Sequence, residues 1–370
     1  MSLTITTARA ATALGTGVLL MALTACAGGA GPASAGSASG ASTSGTAVSG
    51  SLAGAGASSQ EAAMEAWKAG FQAANPDATV SYDAVGSGAG ITQFTDGQVA
   101  WAGSDAPLKD EEIAAANQRC GGPAWALPVY ISPVAVVFNL EGVTALNLDA
   151  ATIAKIFSGK ITKWNDPAIV AANPGVTLPD LAITPVHRSD ESGTTENFTE
   201  YLASAAPADW TSKPGKAWPL EGGESADKTA GVIQAVTAGK GTIGYADASQ
   251  AGNLGIVALQ AKDGTFVTLS PETAAAAADT AEPMSGRESN DIAVEVNRIP
   301  ETNNSYPLVM ISYSIVCSTY SDPAQAALVK AFIGYQVSEE GQNTAAQNAG
   351  SAPLSGDMRS KVQAALDAIK

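Results

Sequence analysis

The stretch ALPVYISPVAVVFNL, residues 126–140, carries no charged side chain and is rich in valine and isoleucine. A segment this apolar is stable only when both its faces are covered, so it reads as strand buried on two sides and as a candidate connection between two packed bodies. The pattern on either side switches repeatedly between helical and strand spacing. Met64, Trp67 and Phe71 share one helical face that Pro76 terminates. TVSYDAV (79–85) alternates like a strand, GSGAG (86–90) reads as a turn, ITQFTDG (91–97) as a short helix and VAWAG (99–103) as a strand. Further on, residues 149–160 form an amphipathic helix, 181–188 a strand, 193–205 a helix, 241–246 a short strand and 306–317 another strand-rich run. Residues 322–342 read as a helical close, and 270–299 give only a coarse pattern. Such alternation defines an α/β protein rather than an all-α or all-β one.

The chain has 370 residues, enough for two domains on a prior of ~150 residues each. Asp and Glu number 35 against 19 Lys and Arg, a net charge of −16 with no basic run, which argues against nucleic acid as a partner. Any anionic ligand must then be held by local donors. A single histidine, His187, leaves little room for metal sites or histidine-dependent catalysis. No G-x-S-x-G elbow surrounds any serine, and GKGT (239–242) lacks the spacing of a phosphate loop and reads as a turn.

Residues 10–25 are an uncharged apolar run behind Arg9, too short for a membrane span of ~20 residues, and read as an export signal. Its end, Leu23-Thr24-Ala25-Cys26, resembles the lipobox of bacterial lipoproteins, which implies cleavage after residue 25 and diacylation of Cys26. Residues 26–50 are nearly all Gly, Ala, Ser and Thr and make a flexible tether. Cys120 and Cys317 remain, a disulfide or two separate buried thiols.

Three places repeat one local event, a strand or loop ending in small hydroxyl and glycine residues before a helix: GAGASS (54–59), GSGAG (86–90) and RSDESGTT (188–195). Unpaired amides at a helix start attract anions, glycine admits close approach, and Ser or Thr adds a donor. Converging, the three would hold an oxyanion with mostly neutral groups. Each also has a local reading: Ser58 with Glu61 as a capping box, Arg188 with Asp190 as a surface pair, Asp105 as the cap of the helix after it.

Together RSDESGTT, GSGAGITQF (86–94), WAGSDAPL (101–108) and IAKIFSGKITKWNDPAI (153–169) resemble, in order and from about residue 52 onward, the phosphate-binding protein of the bacterial high-affinity phosphate ABC transporter. The resemblance implies phosphate contacts from Ser58, Ser59, Ser87, Asp105, Arg188, Asp190, Ser192, Gly193 and Thr194. Ser59 stands where many relatives have Phe, and as a backbone contact the change is expected to matter little. Glu191 stands where many have Gly, and is expected to point outward. Asp105 would accept the proton of hydrogen phosphate and repel sulfate, which has none.

The expected fold is a two-lobed, type II periplasmic-binding-protein-like α/β architecture with a ligand cleft and a two-strand hinge. Residues 51–138 plus 307–370 form lobe I and 139–306 lobe II. The expected function is capture of inorganic phosphate at the extracytoplasmic face of the cell membrane by a lipid-anchored monomer that needs no cofactor, for delivery to ABC permease subunits. The alternatives are an exported phosphatase and a receptor for another oxyanion.

Overall fold

The long strand foreseen at residue 126 is a single 15-residue strand, Ala124–Phe138, every residue of it buried. It belongs to a computed structural model that describes residues 48–370, so the export signal, Cys26 and nearly all of the tether lie outside the described residues. In chain order the first part comprises β1 (Gly50–Gly56), α1 (Glu61–Ala74), β2 (Ala78–Asp83), α2 (Ser87–Thr95), β3 (Trp101–Ser104), α3 (Asp110–Cys120) and the long strand β4. The middle comprises β5 (Ala145–Leu148), α4 (Ala150–Phe157), α5 (Pro167–Ala172), β6 (Thr184–Arg188), α6 (Gly193–Ala205), β7 (Glu224–Ala226), α7 (Lys228–Ala238), β8 (Thr242–Asp247) and β9 (Gly255–Gln260). Then follow β10 (Phe266–Val267), α8 (Pro271–Asp279), β11 (Glu282–Pro283), β12 (Val294–Glu295), β13 (Val309–Cys317), α9 (Pro323–Val337), α10 (Glu339–Ala349) and α11 (Gly356–Ala368).

The main sheet runs β2-β1-β3-β13-β4-β8-β6-β7, with β9 joining β4 to β5 and β10. β4 changes partner along its length: Ala124–Pro133 pair antiparallel with β13, and Val134–Phe138 with β8. Its two prolines mark the irregular points, as a residue without an N–H must. Pro128 lies opposite Tyr313, where the register shifts, and Pro133 is the last residue paired to β13. Leu127, Val129 and Ile131 belong to one hydrophobic cluster with Trp67, Phe71, Trp101 and Phe332, while Val134, Val136 and Phe138 belong to another with Trp164, Phe198 and Tyr245. A smaller third cluster, Ala135, Val137, Val186 and Val232 among its members, lies under α7. Residues Ala274, Ala277, Ala293 and Val294 pack with the first cluster, although the sequence division put them with the second lobe.

Three elements depart from their sequence reading. GSGAG is a turn only at Gly86, whose φ is +93°; α2 begins at Ser87, and within it Gly90 packs directly on the backbone of Gly56, where a Cβ would collide. The helical close is interrupted at Ser338, whose side chain accepts from the Gly341 amide and starts a second helix with Glu339 and Glu340 in its first turn. α7 was not foreseen, since Gly231 and β-branched residues dilute its periodicity.

Candidate functional site

The three glycine- and hydroxyl-rich segments converge. Arg188, at the end of β6, is 2% exposed and gives Nε–H to Asp190 Oδ1 at 2.6 Å and Nη2–H to Asp190 Oδ2 at 2.5 Å. The same Nη2 donates to Ser58 Oγ at 3.2 Å, so the Arg-Asp pair is buried site architecture rather than surface decoration. Ser58 does not cap its own helix: its hydroxyl lies between Arg188 and Thr229, whose Oγ1 is 3.0 Å away and whose amide, in the first turn of α7, it accepts at 3.1 Å. Burial works to raise the Asp190 carboxyl, but the hydrogen bonds and charge of Arg188, with the Lys228 amide, prevail and hold it below the ordinary carboxylate range.

Asp105 is 2% exposed and forms the other side. It is not a helix cap, since α3 starts at Asp110 behind Lys109. Its Oδ1 accepts from Ser59 Oγ at 2.6 Å and Ser312 Oγ at 2.8 Å, and Oδ2 accepts from Thr194 Oγ1 at 3.2 Å. Its own amide donates to Ser87 Oγ at 3.2 Å. Burial raises this carboxyl above its usual value against the lowering pull of those hydroxyls and of the Arg188 charge. Ser59 therefore does more than present an amide: its hydroxyl holds Asp105, a side-chain contact the sequence reading did not include. Ser192 caps α6, accepting from the Thr194 and Thr195 amides. Gly193 is required by contact, because a Cβ there would stand 2.7 Å from both Asp105 Cβ and Ser87 Oγ. Glu191 is exposed, as expected, and its carbonyl accepts from the Gly88 amide at 3.0 Å. His187 faces away from the site, stacked on Trp218 at 4.9 Å between ring centres.

The sequence did not disclose several participants. Asn197 Nδ2 donates to the Asp105 carbonyl at 2.7 Å, and its Oδ1 accepts from Arg298 at 2.5 Å. Lys216, 6% exposed, bonds Glu112 at 2.7 Å, while Lys109 bonds Glu196 at 2.8 Å, so ion pairs join α3 and its cap to α6 and the loop after it. Ser312 had a signal, one of two serines in a fully buried and mostly apolar strand. Among the described residues no group of three or more His, Cys, Asp or Glu is placed to hold a metal ion, and no helix is long and apolar enough to cross a membrane.

A second carboxyl, Asp247 at the end of β8, is fully buried. Its Oδ1 accepts from the Ser249 amide and hydroxyl, at 2.9 and 2.5 Å, and Oδ2 has no partner among the described residues. Burial pushes it up to about 6, the Ser249 and Ser132 hydroxyls opposing and the Asp105 charge adding. The fold thus binds a proton there that the unfolded chain releases near pH ~4, so stability falls as pH rises from ~4 through ~6, by up to ~3 kcal/mol. Asp247→Asn keeps the acceptor and is always neutral. It is expected to exceed the wild type in stability by roughly 1–3 kcal/mol at pH 8 and to match it near pH 4. Urea unfolding at both pH values checks this; a difference that does not change with pH would contradict it.

The chain belongs to the PBP superfamily, whose domain model matches residues 41–340. Within that class its relatives are the PstS phosphate-binding proteins: it is 40% identical over 326 residues to phosphate-binding protein PstS 3 of Mycobacterium tuberculosis, covering 86% of each chain. To PstS 2 of the same organism it is 36% identical over 359 residues, 94% of this chain and 95% of that one. Among solved structures, a phosphate-binding protein from Stenotrophomonas maltophilia matches with a TM-score of 0.67 at 21% identity over 85% of this chain and 93% of that chain. A high-affinity periplasmic phosphate-binding protein bound with phosphate matches with a TM-score of 0.69 at 23% identity over the same shares of the two chains. These two likenesses carry the two-lobed α/β fold.

Proposed function

We propose that the protein captures inorganic phosphate between two lobes and delivers it to the permease of an ABC importer. The observation that carries this reading is the Asp105 carboxyl. With Oδ1 filled by Ser59 and Ser312 and Oδ2 given only Thr194, one lone pair of Oδ2 stays open beside Arg188, Ser58 and Ser87. A buried carboxylate next to an anion is unfavourable unless the anion brings a proton, which hydrogen phosphate does and sulfate does not. Ser87, Asp105 and the Ser59 amide contribute from lobe I, and Arg188, Ser192, Gly193 and Thr194 from lobe II, with Asp190 orienting Arg188 and Ser58, foreseen as a direct contact, tying Arg188 to Thr229 instead. The lobes are residues 51–138 plus 307–370 and 139–306, a division supported by the two cores that share β4, with 274–294 leaning on lobe I. Donors from both lobes make the loaded, closed form the favoured one; hinge closure itself is general to periplasmic binding proteins.

No reaction is done on the ligand. His187, the single base that would suit a phosphatase, is committed to Trp218 and the carbonyls of Arg188 and Gly222. The chain works as a monomer, exported and held by a lipid on Cys26 at the outer face of the membrane, and the tether keeps the loaded form near the permease at raised effective concentration.

Asp105→Asn tests the reading. Titration calorimetry with phosphate, sulfate and arsenate is expected to show wild type taking phosphate and excluding sulfate. The variant should lose about 10- to 100-fold in phosphate affinity and admit sulfate, because its amide is neutral and can donate. An unchanged selectivity profile would remove the role given to Asp105.

A further inference from the structure

Thr229, the second residue of α7, is 1% exposed and touches two groups of the site from a segment in which the sequence showed no ligand signal. We propose that Thr229 is a further phosphate-binding residue, its hydroxyl donating to the anion; this rests on the phosphate reading above. The argument is a count of hydrogens. Ser58 Oγ accepts from the Thr229 amide at 3.1 Å and from Arg188 Nη2 at 3.2 Å, which fills both lone pairs of a hydroxyl oxygen. Its contact with Thr229 Oγ1 at 3.0 Å is then made by donating its own hydrogen. Thr229 Oγ1 also receives Arg188 Nη1 at 3.4 Å. Both its lone pairs are thereby used, and its own hydrogen has no acceptor among the described residues. A hydroxyl hydrogen buried among a guanidinium and another hydroxyl calls for an oxygen with negative charge, and the ligand is the group that supplies it.

The backbone is set for the same purpose. Lys228 has φ +62°, the left-handed region that a side chain rarely occupies, and is the one non-glycine residue with positive φ among the described residues. Its amide is given to Asp190 Oδ1 at 3.0 Å, and the next amide is thereby turned onto Ser58. Asp190 so orients Arg188 and Thr229 together, and a carboxylate that looks like a partner of one donor positions two.

Thr229→Val keeps the shape and the amide and deletes the hydroxyl, both its hydrogen and the acceptor used by Ser58 and Arg188; Thr229→Ser keeps both. In phosphate calorimetry on the purified chain the Val variant is expected to bind about 10- to 100-fold more weakly and the Ser variant within about threefold of wild type. Without phosphate the Ser variant should melt within about 2 °C of wild type and the Val variant a few degrees lower, because it leaves the Ser58 hydrogen and an Arg188 N–H without their buried acceptor. Thr229→Ala serves if the Val variant does not fold. A Val or Ala variant that binds phosphate like wild type overturns the assignment and leaves the site reading intact. A wild-type chain that takes no phosphate overturns both.

Discussion

Replacing Arg188 by methionine is expected to lower phosphate affinity by about 1000-fold, the largest loss of any single exchange in the site, because a buried charged partner is removed and its counter-ion left behind. The guanidinium has five N–H groups. Two go to Asp190, one to Ser58 and one, at 3.4 Å, to Thr229, which leaves the second Nη1–H for the ligand. Methionine fills the apolar space of the stem but makes none of these bonds. It also leaves the Asp190 carboxylate, 14% exposed, uncompensated and aimed toward an incoming anion. Repulsion by Asp190 then adds to the lost donors. Adding Asp190→Asn to Arg188→Met should therefore recover about tenfold, whereas Asp190→Asn alone should weaken binding. Arg188→Lys, a point charge without the planar fork, should fall between methionine and wild type. Calorimetric titration of the four variants checks the set, and Arg188→Met binding within tenfold of wild type would mean that the guanidinium is not a principal donor.

Much of this site was legible because its donors cluster in short segments that carry their own local physics. Gly-Ala-Gly-Ala-Ser-Ser, Gly-Ser-Gly-Ala-Gly and Arg-Ser-Asp-Glu-Ser-Gly-Thr each announce a helix start, and each supplies residues that the fold gathers. What could not be read was the partner of each donor. Ser58 satisfies a capping-box pattern with Glu61, yet its hydroxyl is bound to groups 130 and 171 positions away in sequence. Ser59 seemed to offer only backbone, and its hydroxyl is fixed on Asp105. Thr229 was invisible because its helix was, a stretch whose glycine and β-branched residues give weak periodicity until tertiary packing settles it. The apolar run at 126–140 gave the buried strand, but not that it would be one element shared by two cores, since periodicity does not encode which partner strand lies alongside.

Deleting the Cys120–Cys317 bridge is expected to cost about 3–5 kcal/mol of stability and to leave phosphate affinity unchanged within about threefold. The two sulfurs are bonded, with the Cα atoms 5.3 Å apart and the residues 197 positions apart in sequence. Chain-entropy reasoning makes the constraint on the unfolded state grow with the logarithm of the closed loop, about 5 kcal/mol for one this long, and unfolded-state structure trims the figure. Affinity is insulated for a geometric reason. Cys120 ends α3, Cys317 ends β13, and both pack in the first hydrophobic cluster, so the bridge lies within one lobe and does not span the cleft. The bridge encloses the whole of residues 121–316, so it holds both ends of that excursion and involves none of the proposed phosphate contacts. Cys120→Ser with Cys317→Ala, alanine because that position is fully buried, removes the bond with little new polarity inside. Urea unfolding should show a midpoint lowered with m slightly raised, as a freer unfolded chain exposes more surface, while calorimetry returns the wild-type phosphate affinity. A variant that lost affinity in proportion to stability would place the bridge in the closure between the lobes instead.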